Sequence, residues 1–423
     1  MKKKRTNLQI FSLALFVIIV LAGIFLYVSF RSHTIGKETL LKLYYYDPIG
    51  KELVPVQEKI VLPENSTLAV EKVVDALKNP PKKNLFPLLN SNTVVRSVSV
   101  KNHLCTIDLN NESTKFVELS VRKEAIRVYG LVNSITELPG INSVQILIDG
   151  KKKTYFNHYL RIDTPLSHYS GILPMGREVF LYFPDSMENN LLLEKREVVS
   201  HSDPVVLAKE IVRELFYGSL KGLPGLLPVD TKINDFYIRS GGTAVIDFSS
   251  DILKHPLGTH NESLAVLSLV NSLTELPDIT SVQILIDGKI IPTLFGSVDI
   301  SHPIKRFFGL TEENDTIIPY YVYNNNGEQF FTPSVETIHS KDRIKTLFEF
   351  LKNPEEGYNT YIPKDSKLID YKVKDFVLTM SITVPGNADI DDIKQQIMLS
   401  YTEFPSVKRI QLTINGKVFL LER

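Results

Sequence analysis

Apolar and polar residues alternate in one scheme that runs along the chain three times. It opens with aromatic-rich segments that read as first strands: Leu43–Tyr46, Leu181–Phe183 and Tyr320–Tyr323. β-Branched and aromatic residues bounded by Asn, Asp, Gly and Pro place second strands at Leu53–Leu62, Leu191–Val199 and Gln329–Ile338. A helical period follows, with Val70, Val73, Val74 and Leu77 on one face. Leu207, Ile211, Val212 and Leu215, then Ile344, Leu347, Phe348 and Leu351, repeat that face. Asn65-Ser66, Ser202-Asp203 before Pro204, and Ser340 supply caps. Strand pairs come next: Val94–Val100 with Leu104–Leu109, Ile233–Ile238 with Thr243–Phe248, and Leu368–Val373 with Phe376–Ile382. Gly241-Gly242 makes a tight hairpin in the second set. Second helices carry Val121, Ala125, Val128, Val132 and Ile135, and Val266, Val270, Leu273 and Leu276. Pro139, Pro277 and Pro405 are expected to end these helices. In the last strand Val144, Ile146 and Ile148 face inward and Gln145 outward. The order β-β-α-β-β-α-β predicts an α+β sandwich, with helices on one face of a mixed sheet.

The end of each set is nearly one phrase. Ser134-Ile-Thr-Glu-Leu-Pro139 precedes Val144–Gly150, Ser272-Leu-Thr-Glu-Leu-Pro277 precedes Val282–Gly288, and Ser400-Tyr-Thr-Glu-Phe-Pro405 precedes Ile410–Gly416. The recurring glycines lie 138 and 128 residues apart, a small domain rather than a solenoid unit. The expected organisation is a basic tail at 1–7, a membrane anchor at 8–30, and modules at 40–160, 178–298 and 317–423, the last degenerate. Thr164–Pro174 and Gly296–Gly309 are the short connections.

Leu8–Phe30 is a 23-residue uncharged stretch behind Lys2-Lys-Lys-Arg5, long enough to cross a bilayer with the basic cluster on the cytoplasmic side. A cleaved secretory signal is the competing reading, against which stand the length of the run and the lack of an Ala-x-Ala site. Ile24 after Leu21-Ala-Gly23 rules out lipidation there, because the thioether needs Cys. The expectation is a single-pass cell-membrane protein with the bulk of the chain extracytoplasmic.

Charge narrows the partners. Lys plus Arg and Asp plus Glu both number 48, so no basic footprint suits nucleic acid. The single cysteine, Cys105, sits in the alternating run Leu104–Leu109 and reads as a small buried hydrophobe.

Recurrent polar positions are weighed as chemistry and then as structure. Asp149 and Asp287 give way to Asn415, which keeps turn geometry but loses proton chemistry, so Asp149-Gly150, Asp287-Gly288 and Asn415-Gly416 read as type I′ hairpins. Glu137, Glu275 and Glu403, each within Thr136-Glu, Thr274-Glu or Thr402-Glu before a proline, oppose the helix dipole. They therefore suggest a bridge to a strand or a contact surface. Gln145, Gln283 and Gln411 are outward strand residues, solvated or at an interface. Ser134, Ser272 and Ser400 lack a nucleophile context, and Asp108 and Asp247 give way to Ser381. The Asn65 and Asn261 sequons read as helix caps. No catalytic, cofactor or metal constellation is legible.

The run Gly242-Thr-Ala-Val-Ile-Asp-Phe-Ser249, then Leu273-Thr-Glu-Leu-Pro277, then Val282–Lys289 resembles the GerMN module of GerM-type sporulation and germination proteins. Ile107–Leu109, Thr136–Pro139 and Ile146–Lys151 carry it in the first module, Thr402–Pro405 and Ile414–Lys417 in the third. The resemblance implies a fold akin to ring-building modules and a non-enzymatic extracytoplasmic protein. Its implied partners are envelope or sporulation-complex proteins between mother cell and forespore. A lipid-bearing Cys and a two-module length, usual in the family, are departed from here. The alternative is cell-wall or small-ligand binding in germination, through Tyr44–Tyr46 and Tyr320–Tyr323; a hydrolase with a site in one module ranks last.

Overall fold

The computed structural model describes residues 36–423 apart from 50–51, 116–119, 229 and 307–314; the expected tail and anchor at 1–30 lie outside the described residues. Among the described residues no helix is long and apolar enough to cross a membrane. The chain divides into two compact units, Met1–Gly176 and Arg177–Arg423.

In the first unit β1 (Lys37–Asp47) and β2 (Glu52–Leu62) form an antiparallel hairpin with Tyr45 opposite Val54. Asn65 caps α1 (Ser66–Lys78), its side chain accepting from the Thr67 and Leu68 N–H groups, and Val70, Val73, Val74 and Leu77 are buried. β3 (Val95–Lys101) pairs antiparallel with β4 (Leu104–Leu109), and α2 (Val121–Thr136) leads into β5 (Ser143–Ile148), parallel to β4. β6 (Leu166–Ser167) closes the order β3-β4-β5-β6. The mixed sheet is as expected. The opening hairpin, however, forms a sheet of its own, because its apolar residues Leu41, Leu43 and Tyr45 pack into the same core as α1 and α2.

The second unit repeats this twice. The first set is β7 (Gly176–Pro184), β8 (Leu191–Val199), α3 (Pro204–Tyr217), β9 (Ile233–Ile238), β10 (Thr243–Phe248), α4 (Thr259–Leu273), β11 (Ser281–Ile286) and β12 (Ile304–Lys305). The second is β13 (Thr316–Ile317), β14 (Tyr320–Asn325), β15 (Glu328–Pro333), β16 (Glu336–Thr337), α5 (Arg343–Lys352), β17 (Lys367–Lys374), β18 (Val377–Thr383), α6 (Ile390–Tyr401), β19 (Arg409–Ile414) and β20 (Lys417–Glu422). Each set has its own core, and a further cluster of Tyr182, Leu191, Leu193, Tyr320, Val322 and Phe331 joins them. The two hairpins merge edge to edge through β8 and β15 into one sheet, β14-β15-β8-β7.

Several sequence expectations shift. The helices end at Thr136, Leu273 and Tyr401, before the prolines, so Leu276 packs from the following turn. Proline disfavours helical geometry in the residue before it, and the chain leaves the helix ahead of that position. Asp342, not Ser340, caps α5, because its carboxylate reaches the Lys345 N–H. Asn261 lies inside α4, whose N-cap is Gly258. Type I′ geometry appears at Asp149-Gly150 (φ 49° and 73°), Asp287-Gly288 (45° and 74°) and Asn415-Gly416 (50° and 86°). Only the last opens a full strand, β20; the others close one bridge each, Ile148 with Lys151 and Ile286 with Lys289.

After those bridges a loop fills the place that β20 takes in the third module. Buried carboxylates hold it. Glu124 accepts from the Asn157, His158, Tyr159 and Leu160 N–H groups, and Glu262 from Leu294, Phe295 and Ser297. Burial alone would raise the Glu262 carboxyl, but its backbone N–H donors outweigh that and hold it below the usual range. Glu262→Ala leaves those donors without an acceptor. It is expected to cost about 1–3 kcal/mol in urea unfolding, with protease cleavage near 294–298 as a second readout; an unchanged midpoint would contradict the assignment.

Candidate functional site

Each second helix carries a buried serine that reaches out of its helix to the opening strand. Ser134 accepts the Tyr44 N–H, Ser272 that of Tyr182 and Ser400 that of Tyr320, all at 3.0 Å. The clamp sets the tyrosine over the end of the helix, where the Thr-Glu motif lies. Tyr44, Tyr182 and Tyr320 accordingly donate to Glu137, Glu275 and Glu403 at 3.1, 2.7 and 2.8 Å. The glutamates that oppose the helix dipole are thus tyrosine acceptors.

In the second unit two of these pairs meet. The Tyr182 and Tyr320 hydroxyls lie 2.7 Å apart. Arg306 and Arg423 cross-brace them. Arg306 Nε donates to Glu403 Oε2 at 2.9 Å and Nη2 to Glu275 Oε1 at 2.6 Å, while Nη1 reaches the Asn271 carbonyl at the end of α4 at 2.7 Å. Arg423 mirrors this, with Nε to Glu275 Oε2 at 2.7 Å, Nη1 to Glu403 Oε1 at 2.5 Å and Nη1 to the Leu399 carbonyl of α6 at 3.2 Å. Two arginines thus face two carboxylates, all with side-chain exposures of 5–16%.

Burial would raise the Glu403 carboxyl, but the two guanidiniums overcome it and hold it at about 2. Desolvation pushes the Tyr182 hydroxyl well up and the Tyr320 hydroxyl to about 12. Both phenols therefore stay protonated at neutral pH and serve as donors. Such an arrangement binds two surfaces together and offers no poised acid or base.

In the first unit the same pair is differently completed. Lys42 Nζ lies 2.8 Å from Glu137 Oε1, and exposed His168 approaches the Tyr44 hydroxyl at 3.4 Å through Nε2. A cleft of ≈ 360 Å³ adjoins them, lined by Tyr44, Leu53, Asn133, His168 and Ile172 among others. Among the described residues no three His, Cys, Asp or Glu side chains group as a metal site. Cys105 is buried, which pushes its thiol up to about 12.

A family profile described as "Germane: Sporulation and spore germination" matches the chain three times, at residues 42–154, 180–291 and 319–419. The chain belongs to the Germane family. Each match spans one Ser–Tyr–Glu set, so Germane modules and repeated clamps coincide. The spore germination protein GerM of Bacillus subtilis is 27% identical over 220 residues, 46% of this chain and 59% of that protein. This chain therefore spans about three fifths of the relative's length. Among solved structures, the tandem GerMN domains of the sporulation protein GerM from Bacillus subtilis align at 23% identity over 57% of this chain and 92% of theirs, with a TM-score of 0.46. A putative lipoprotein from Clostridium perfringens aligns at 28% identity over 31% of this chain and 89% of its own, with a TM-score of 0.24.

The remaining recurrent residues of this Germane chain have separate places. Thr274 and Thr402 hydroxyls donate to the Val270 and Met398 carbonyls at 2.7 Å, and Thr136 to Asn133 at 3.0 Å, closing helix ends. Pro139, Pro277 and Pro405 follow in the exit turns. Gln145 and Gln283 are buried rather than solvated, donating to the Ile162 and Ile300 carbonyls of the covering loops at 2.7 and 2.9 Å. Gln411, with no such loop beside it, is exposed. Asp108 and Asp247 accept the Gly150 and Gly288 N–H groups at 2.8 Å, and Asn415 binds the Val384 backbone. Asp149 pairs with Arg96 at 3.1 Å and Asp287 accepts from the Ser250 N–H at 3.3 Å. Sequence reasoning missed Arg306 and Arg423. No flanking motif marks them, and only strand register does: Ser143 opposes Ser167, Ser281 opposes Lys305 and Arg409 opposes Glu422, so His168, Arg306 and Arg423 hold one position.

Removing one arginine leaves two buried carboxylates sharing a single guanidinium, with one negative charge uncompensated. Arg423→Ala is expected to cost about 3–5 kcal/mol in urea unfolding followed by tyrosine fluorescence. The Glu403 carboxyl is depressed in the folded chain, so its stabilisation is complete above its ordinary value of 4.5 and is lost as pH falls towards about 2. The melting temperature should therefore drop across that window, and Glu403→Gln should flatten the drop; equal acid branches in both proteins would refute the coupling.

Proposed function

We propose that this Germane chain is a membrane-anchored extracytoplasmic scaffold of the sporulation envelope, supporting assembly of a complex between mother cell and forespore. The observation that carries this reading is where the recurrent residues go. Two Ser–Tyr–Glu sets in the second unit are consumed in joining two modules through a charge-balanced seam. Repetition of a binding surface, without repetition of a reactive group, suits a protein whose product is an assembly. The Leu8–Phe30 segment and the basic residues before it support anchoring with the modules outside the cytoplasmic membrane. Similarity to GerM, a spore germination protein, supports the setting.

A glycan- or germinant-binding role is the alternative, and most of the tyrosines that suggested it are taken up in packing. Tyr45, Tyr320 and Tyr321 are fully buried. Tyr44 is also buried at the base of its cleft, and only Tyr46 and Tyr323 keep part of their surface open.

Crosslinking and recovery from sporulating membranes tests the proposal, comparing the full chain with one lacking residues 1–31. Recovery of envelope or engulfment proteins by the anchored chain alone is the expected outcome. Recovery of glycan fragments without protein, or expression confined to vegetative cells, would overturn it.

A further inference from the structure

The second unit shows how two modules of this chain join. In their hairpins Tyr320 lies opposite Pro333, and the bond from the Asp185 N–H to the Asn190 carbonyl sets Tyr182 against Leu193. Leu191-Leu192-Leu193 and Phe331-Thr332-Pro333 are therefore counterparts. Leu193 faces Phe331 across the antiparallel β8–β15 seam, which puts Leu192 and Thr332 at a local twofold axis. The tyrosine hydroxyls meet on that axis, and each arginine caps its own helix while bonding the other module's glutamate. This is an isologous interface made inside one chain.

The first unit carries the same half. Tyr44 is clamped by Ser134 and bonded to Glu137, and it lies opposite Pro55, so Leu53-Val54-Pro55 is the counterpart triplet. Proline at its last place is compatible with the seam, since Pro333 stands there in β15. The outer edge of β2 pairs with no strand among the described residues. Lys42 occupies the place of Phe180 and Ile318 and gives Glu137 its cation within the half itself. Two such halves bring two lysines and two carboxylates together, the same balance as two arginines and two glutamates. Modules two and three satisfy each other, which leaves the half in the first unit without a counterpart strand among the described residues.

We propose that the β2 edge and the Tyr44–Glu137–Lys42 face dock against the same face of a second copy of this chain, joining two chains about a twofold axis at Val54. Exposed His168 stands where Arg306 and Arg423, only 16% and 12% exposed, stand in the closed seam, so the half is open as the seam's halves would be if parted. An edge strand left without a partner is a template for strand addition, and the internal seam shows that this edge accepts its own counterpart. Such pairing needs no sporulation partner, so purified chain is enough to show it.

Full-length chain in detergent, carrying Val54→Cys, is oxidised and run without reductant. Residues opposite each other at an antiparallel axis have the Cβ spacing for a disulfide, and the only native cysteine is buried. A covalent dimer is expected from Val54→Cys and none from Val61→Cys on the same strand. Sedimentation of the unoxidised chain should give two copies, and Pro55→Asp, at an exposed position, should weaken association roughly 30-fold or more without moving the melting temperature. A monomer by sedimentation, or equal crosslinking at positions 54 and 61, would overturn the proposal. Capture of a different protein by Val54→Cys in cells, with no chain dimer, would also overturn it.

Discussion

Glu275 and Glu403 are buried carboxylates placed at the negative ends of helices, the least favourable place for such a charge. Everything at the centre of the second unit answers that problem. Two guanidiniums supply the opposite charge, and each uses its remaining N–H groups on a helix-end carbonyl that also needs a donor. The phenols fill the space between and donate to the carboxylates. A seam built this way fits only its own counterpart, because an apolar or misaligned partner would leave charge unpaired in a low-dielectric site.

That specificity depends on a plainer device, the serine in the second helix. By accepting the strand N–H of the tyrosine, it fixes strand to helix at a single residue, and so fixes where the hydroxyl points. The device recurs unchanged in three modules. The groups around it vary: arginine in modules two and three, histidine with a nearby lysine in module one. A constant positioning element with variable charge around it is how one repeat can serve as a closed seam in one place and an open face in another.

The loops tell a parallel story. Modules one and two follow the last strand with a loop held on the buried Glu124 or Glu262, whereas module three runs straight into β20. The end of β20 delivers Arg423 to the same position that the loop and short strand deliver Arg306. Different chain routes thus converge on one charge.

Helix faces such as Val70–Leu77 and Leu207–Leu215, the hairpin turns at Asp149, Asp287 and Asn415, and the repeat itself were all legible in the amino-acid order. Each is a local rule, a period of 3.6 or a φ above zero, that needs no distant partner. The recurring Glu and Ser were visible too, but their use was not. Glu137 read as a bridge to a strand or a contact surface and Gln145 as solvated or at an interface, and only packing shows one as a tyrosine acceptor and the other pinned under a loop. Arg306 and Arg423 share no flanking motif, since they arrive from chain segments of different length; strand register alone makes them equivalent. Sequence determined the modules, their elements and their turns. Tertiary structure decided which recurrent residues meet, because a buried charge takes its meaning from a partner far away in the chain.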